Sequence, residues 1–362
     1  MGNSQIKSVF FSLVRLGIGQ SAIVESDNIN WNKIKVLADE QGLSAVVLDG
    51  IEELRKLNSR VCLPDKKFLT QWIGEVLLGY EYRYKLYHRA IAEMAGFYNN
   101  HGLKMMVLKG FSCSLTWPSP EHRHVGDIDI WLFGDYKKAD ALLISEKGIE
   151  VDNSHHHHTV FYWRDFMVEN HYDFINVHHH KSNVELEKIF KRLGSDDTHY
   201  VEAYGEKVYT PSPNLHALFL IKHAMSDFTS VSVALRQVLD WAFHVRKFAE
   251  EIDWDWLMGI LKEYHMMDFF NIMNAICVED LGFTPAIFPN IERNPYLKEK
   301  VLSDILVPKY TLTEPDGFFP RIVYKYKRWR GNSWKHKMCY NESMWSAFWS
   351  GVKNHLLKPS SI

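Results

Sequence analysis

The sequence predicts an α+β fold: a mixed β-sheet core flanked by N-terminal and C-terminal helical regions. Three observations lead there. Apolar residues recur at helical spacing up to about residue 100 and again beyond residue 214. Between those stretches, apolar and polar residues alternate in short runs, the period of strands with one buried face. Pro211-Ser212-Pro213-Asn214 then marks the return to helical spacing. The expected divisions are an N-terminal helical region at 1–65, a core at 66–210, and a C-terminal helical domain with a basic aromatic tail at 211–362.

In chain order, short helices are expected over Ile6–Leu16, Trp31–Gln41 and Ala45–Leu57. A longer one spans about Lys66 to Asn100, with Phe68, Trp72, Val76, Leu77, Tyr80, Tyr84 and Leu86 near helical spacing. His101-Gly102 closes it in the manner of a glycine-terminated helix. Strands follow at Met105–Leu108 and Asp127–Phe133, then a helix at Tyr136–Glu146 and a short strand at Ile149–Val151. Runs Thr159–Arg164 and Phe166–Phe174 read as an antiparallel hairpin. Leu215–Met225, Val231–Ala249, Trp254–His265 and Phe269–Leu281 return to helical spacing.

The bulk numbers narrow the class. At 362 residues the chain exceeds one ordinary core. With 46% hydrophobic and 14% aromatic residues it is a folded globular protein rather than a disordered one. A net charge of −2 argues against the molecule as a whole being an electrostatic nucleic-acid binder. Cys62, Cys113, Cys277 and Cys339 are scattered, which suits a reducing compartment better than a disulfide framework. The first residues show no signal-peptide pattern, and no apolar run is long enough for a membrane span. A cytoplasmic location is therefore expected.

The chemistry concentrates at residues 105–133. Asp127 and Asp129 alternate with Ile128 and Ile130. On a strand both carboxylates share a face while the isoleucines enter the core. Two acids held together this way repel unless a cation lies between them, and hard oxygen ligands suit Mg²⁺ or Mn²⁺. Upstream, Lys109-Gly110-Phe111-Ser112 follows the apolar run Met105–Leu108. A strand entering a glycine turn is a place where backbone N–H groups hold phosphate oxygens. Alone, an Asp-x-Asp pair is most simply a solvated strand edge. With the glycine turn before it and Arg123 four residues ahead, it points to metal-dependent chemistry on a nucleotide.

Leu108-Lys109-Gly110, Trp117-Pro118 and Arg123-His124-Val125-Gly126-Asp127-Ile128-Asp129 resemble the DNA polymerase beta-type nucleotidyltransferase superfamily. The resemblance is to its branch of uncharacterised bacterial nucleotidyltransferases, and abortive-infection nucleotidyltransferase toxins share a similar layout. It covers about residues 30–285, with the strand motifs its specific part. It implies a nucleotidyltransferase-fold core, an NTP substrate, and transfer of a nucleoside monophosphate to an acceptor hydroxyl with release of pyrophosphate. Asp127 and Asp129 would hold two Mg²⁺, and Gly110 and Ser112 the β- and γ-phosphates. Phe111 intervenes between Gly110 and Ser112, where the superfamily often has Gly-Ser or Gly-Gly. Lys109 or Arg123 would neutralise developing charge, although Lys109 would equally pair with Asp127.

Two-metal transfer needs a third carboxylate on a neighbouring strand. Met167, Glu169, His171 and Asp173 share one face of their strand by alternation. Glu169-Asn170-His171-Tyr172 is similar to the family's Glu-x-His-Trp segment, with Tyr in place of Trp, which favours Glu169 over Asp173 and brings His171 to the nucleotide. Leu220-Ile221-Lys222-His223 and Arg236-Gln237-Val238-Leu239-Asp240 resemble the family's helical motifs. Two roles are open there. Arg236 and Asp240 lie four apart and would form a helical salt bridge, or Lys222, His223 and Arg236 would reach the triphosphate across a cleft.

Two further features carry alternatives. If His155–His158 were a strand, His155 and His157 would face opposite to His156 and His158, so one ion could not take all four. No Cys or carboxylate stands at ligand spacing, so a loop is expected there, and in the second run, His178–His180, His178 or His180 would lie near a phosphate. Residues 321–337 interleave Arg321, Lys325, Lys327, Arg328, Arg330, Lys335 and Lys337 with aromatic rings. They would bind a phosphate backbone, or form an amphipathic helix whose aromatic side packs on the body. Trp345–Leu357 is apolar enough to dock on the body or on a partner. The competing function is a non-catalytic nucleotide- or RNA-binding protein that keeps the fold. Within the enzyme class, the acceptor is open among a small molecule, RNA and protein.

Overall fold

A computed structural model describes residues 3–24, 28–57, 62–178, 180–289, 292–310, 313 and 315–345. Helices α1 (Asn3–Gly17), α2 (Trp31–Glu40) and α3 (Ser44–Lys56) form where the apolar spacing places them. Asn30 caps α2 by accepting from the Lys33 N–H, and Asp65 caps α4 (Lys66–Val76) by accepting from Phe68. A π-helical turn, Leu77–Tyr82, joins α4 to α5 (Arg83–Asn100), so the stretch from Lys66 to Asn100 stays helical throughout.

Six strands make one mixed sheet: β1 (Met106–Val107), β2 (Ile128–Trp131), β3 (His158–Trp163), β4 (Phe166–His171), β5 (Tyr200–Ala203) and β6 (Glu206–Tyr209). Their spatial order is β3-β4-β2-β1-β6-β5. β2 runs parallel to β4 and antiparallel to β1, and β1 runs parallel to β6. The short helix α6 (Phe111–Ser114) follows the glycine turn, and α7 (Tyr136–Leu142) continues into a π-helical turn to Lys147. The strand expected at Ile149–Val151 does not form. Only Asp152, just beyond it, pairs with the outer edge of β3, in an isolated bridge to Val160.

Residues 181–209 add further elements to those expected from the apolar spacing. They are α8 (Lys181–Ser195) and the β5–β6 hairpin. The hairpin turns through Tyr204 (φ 50°) and Gly205 (φ 81°), two left-handed residues as a tight antiparallel connection requires. Beyond Pro211 come α9 (Pro213–Ser230), α10 (Leu235–Phe248), α11 (Trp254–Glu263), α12 (Met267–Ala275), α13 (Pro295–Leu306), α14 (Phe318–Gly331) and α15 (Ser333–Cys339).

The two faces of the sheet bury different cores. Val107, Ile128, Ile130, Phe161 and Val168 pack against α5. Met106, Trp131 and Tyr209 face a larger cluster that joins α1–α3 to α8–α13. Asp129 lies on the Trp131 face by strand alternation, so it looks toward α8 and α9. α14 contains no buried side chain. The aromatic packing expected of the tail occurs instead at α15, where Trp334 meets Phe228 edge-on and Lys335 is buried against Asp304. Of the segment Trp345–Leu357, residues 346–357 lie outside the described residues, as does His179.

Candidate active site

The glycine turn is built by backbone conformation. Gly110 has φ 62° and ψ −95°, a region closed to residues with a Cβ. A Cβ there would also stand 2.2 Å from the Tyr87 hydroxyl. That hydroxyl donates to the Asp127 carbonyl at 3.0 Å, which ties α5 to the strand that carries the acids. Gly110→Ala should therefore destabilise the protein by about 1–3 kcal/mol, read as a lower urea midpoint. Ser112 is buried, with its hydroxyl donating to the Val107 carbonyl. That bond closes the turn from inside and directs the hydroxyl proton away from solvent.

Parallel pairing sets the carboxylates side by side. Asp129 is in register with Glu169, and Trp131 with His171. Oxygens of Asp129 and Glu169 and a ring nitrogen of His171 all lie within 4.8 Å of one another. His171 Nε2 is 3.2 Å from Asp129 Oδ1 and 3.4 Å from Glu169 Oε2. The Asp129 side chain is 2% exposed, Glu169 20% and Asp127 35%, so the set opens outward from a buried floor. Asp173 is turned to Lys191 on α8 instead.

Cations answer the acids. Lys109 Nζ stands 3.1 Å from Asp129 Oδ1 and 3.7 Å from Asp127 Oδ2. His223 on α9 brings Nε2 to 3.3 Å from Lys109 Nζ and 3.4 Å from Asp227. Burial opposes charge on Asp129, but the Lys109 ammonium and the His171 ring outweigh it and hold the carboxyl well below the usual range. Burial and repulsion from Asp129 raise Asp127. For His171, burial acts downward, yet its bonds to Asp129 and Glu169 lift it to about 9. His171 Nδ1 faces the Asp173 carbonyl at 3.1 Å, so both ring nitrogens meet acceptors, as an imidazolium requires.

The other sequence candidates separate clearly. Arg123 is not offered to a phosphate. Its guanidinium is buried and forks onto Asp240, Nε to Oδ1 at 2.7 Å and Nη2 to Oδ2 at 2.8 Å. Trp117 Nε1 donates to the same Oδ1 at 2.8 Å. The expected Arg236–Asp240 bridge is absent among the described residues because Arg123 fills that carboxylate. Arg236 instead donates through Nη1 to the His124 carbonyl at 2.9 Å. Lys222 does not reach the cleft either. It is buried, with its ammonium 4.8 Å from the centre of the Tyr340 ring. His223, one residue on, sits about 100° around α9 and does face the acids. His180 stacks on Tyr340 at 3.6 Å, beside the same buried lysine.

The mixed sheet thus carries a strand Asp-x-Asp, a glycine turn beside it and a carboxylate in register on the next strand. Residues 27–282 match the model of a family described as uncharacterised nucleotidyltransferase, and the chain belongs to that family. No curated protein and no solved structure matches it. No described helix is long and apolar enough to cross a membrane.

Proposed function

We propose that this chain transfers a nucleoside monophosphate from a nucleoside triphosphate to an acceptor hydroxyl at Asp127, Asp129 and Glu169. The acceptor oxygen bonds to the α-phosphorus, the bond to the bridging oxygen breaks, pyrophosphate leaves, and the hydroxyl proton passes to solvent. The observation that carries this reading is the in-register pairing of Asp129 with Glu169 on adjacent parallel strands.

The donor set fits a divalent cation. Asp129 Oδ2 is buried with no hydrogen-bond partner, although a buried carboxylate oxygen is costly to leave unpaired. A bound Mg²⁺ or Mn²⁺ would supply charge neutralisation for the triphosphate and lower the pKa of the acceptor hydroxyl. The chain's own groups do the rest. Lys109 lies 3.1 Å from Asp129 and 3.7 Å from Asp127 and is close enough to turn to a phosphate oxygen. The Gly110 turn presents backbone N–H groups to the β- and γ-phosphates. On the facing helix, His223 accepts from Lys109 and so places the ammonium beside the acids. A complete carboxylate set favours catalysis over a binding-only role, since binding alone has no use for Glu169.

Glu169→Gln separates chemistry from binding. Turnover, followed as pyrophosphate release, should fall by about 10²-fold or more, the scale of losing one charge-stabilising group. Mn²⁺–triphosphate affinity should change only a few-fold, because Asp127 and Asp129 remain. Equal losses in affinity and turnover would place Glu169 in substrate binding instead.

A further inference from the structure

We propose that His157, His158 and His171 form a second metal site, built from nitrogen donors, next to the carboxylates. It would take a borderline divalent cation such as Zn²⁺ or Co²⁺ rather than Mg²⁺. Each of the three rings offers a nitrogen, and these nitrogens lie within 4.8 Å of one another. Ligands of one tetrahedral ion with metal–nitrogen bonds of about 2.0–2.1 Å stand roughly 3.4 Å apart, so small ring rotations would close this set on one ion.

The arrangement comes from tertiary pairing, which the reading of the histidine run as an isolated strand could not show. His158 opens β3 and is the register partner of His171 on β4. His157 precedes the strand in a bend, so it does not alternate away from His158. Its ring meets His158 edge-on at 4.3 Å and lies 5.4 Å from His171. His155 stacks on the outer side of His158 at 4.7 Å and fixes that ring.

Two independent details mark this as a ligand site rather than a crowd of rings. His158 is 7% exposed, and its Nδ1 is buried with no hydrogen-bond partner. Glu169 Oε2 lies 3.8 Å from that nitrogen but groups with Asp129 and His171 rather than with the three rings. His171 points Nδ1 at the Asp173 carbonyl, an outer-shell contact, and Nε2 would coordinate once the metal displaces the proton it shares with Asp129 and Glu169. Imidazole nitrogen favours Zn²⁺ and Co²⁺, whereas Mg²⁺ selects oxygen. His171 also belongs to the carboxylate set, so the two sites share a ligand.

The test uses untagged full-length protein and metal alone. Co²⁺ is titrated by its visible absorption and Mn²⁺ by calorimetry, in wild type, His157→Ala, His157→Ala/His158→Ala and Asp129→Asn. Wild type should bind Co²⁺ with nitrogen-ligand absorption. Both histidine variants should weaken Co²⁺ by at least about 10-fold and leave Mn²⁺ within about 2-fold. Asp129→Asn should weaken Mn²⁺ and keep the Co²⁺ absorption. Because the His157 ring is only partly buried, that single variant reports even if the double variant does not fold. Unchanged Co²⁺ affinity in His157→Ala, or loss of Co²⁺ binding in Asp129→Asn alone, would overturn the proposal. If the transfer reaction itself proves wrong, the nitrogen site is untouched, since no arm of the test uses nucleotide.

Discussion

Asp127→Asn combined with Asp129→Asn should reduce triphosphate turnover by at least about 10³-fold, the upper end of what one preorganised charge-stabilising group contributes. The effect follows from where the charges lie. Asp129 is buried, ionised, and carries an unpaired oxygen, while burial and then the nearby Asp129 carboxylate raise Asp127. A cation is what resolves that repulsion, and two asparagines remove the need for one. The fold should persist. The β1–β2 and β2–β4 ladders do not involve these side chains, the Tyr87 bond goes to the Asp127 backbone, and His171 keeps Glu169. A second readout comes with it. Mn²⁺ at 100 times its dissociation constant should stabilise wild type by about 2.7 kcal/mol through mass action. The double variant should show no such gain. Metal-stimulated turnover near the wild-type level in the double variant would remove the carboxylates from the chemistry.

Arg123→Ala should cost about 3–5 kcal/mol of stability, because it leaves Asp240 as a buried carboxylate without its counter-ion. Asp240 accepts from both arms of Arg123 and from Trp117, joining the segment before β2 to α10. Losing that clamp loosens the approach to Asp127. Urea unfolding measures the effect, and Asp240→Ala should cost a similar amount for the mirrored reason. The alternative role of Arg123, neutralising phosphate charge, predicts the reverse pattern: intact stability with weaker triphosphate binding.

The site was legible in the sequence to the extent that it follows strand alternation. Asp127, Asp129 and the face shared by Glu169 and Asp173 follow from period two, which assigns faces without any tertiary information. The choice of Glu169 rests on the resemblance of Glu169-Asn170-His171-Tyr172 to the family segment. The long helix from Lys66 and the β3–β4 hairpin follow from local spacing in the same way. What escaped depends on contacts distant in sequence. Asp240 finds Arg123 from 117 residues away, and nothing at i, i+4 spacing signals that Arg236 would be displaced by it. The choice between Lys222 and His223 needs the rotation of α9 against the sheet. His158 and His171 meet only across a ladder. Other gaps had local signals. Val184, Leu186, Ile189, Phe190 and Leu193 trace the apolar stripe of α8, and Tyr204-Gly205 between alternating runs marks the β5–β6 hairpin.

The central claim is that the site breaks the bond between the α- and β-phosphates and leaves the nucleoside monophosphate on an acceptor. Label position tests it most directly. The protein is incubated with Mn²⁺ and a cell extract supplying acceptors, in parallel with triphosphates labelled at the α- or the γ-phosphate. The account predicts acceptor labelling from the α-label only, one pyrophosphate released per transfer, and neither signal from Asp127→Asn/Asp129→Asn. Acceptor labelling from the γ-phosphate, or α-labelling that survives in the double variant, would contradict it.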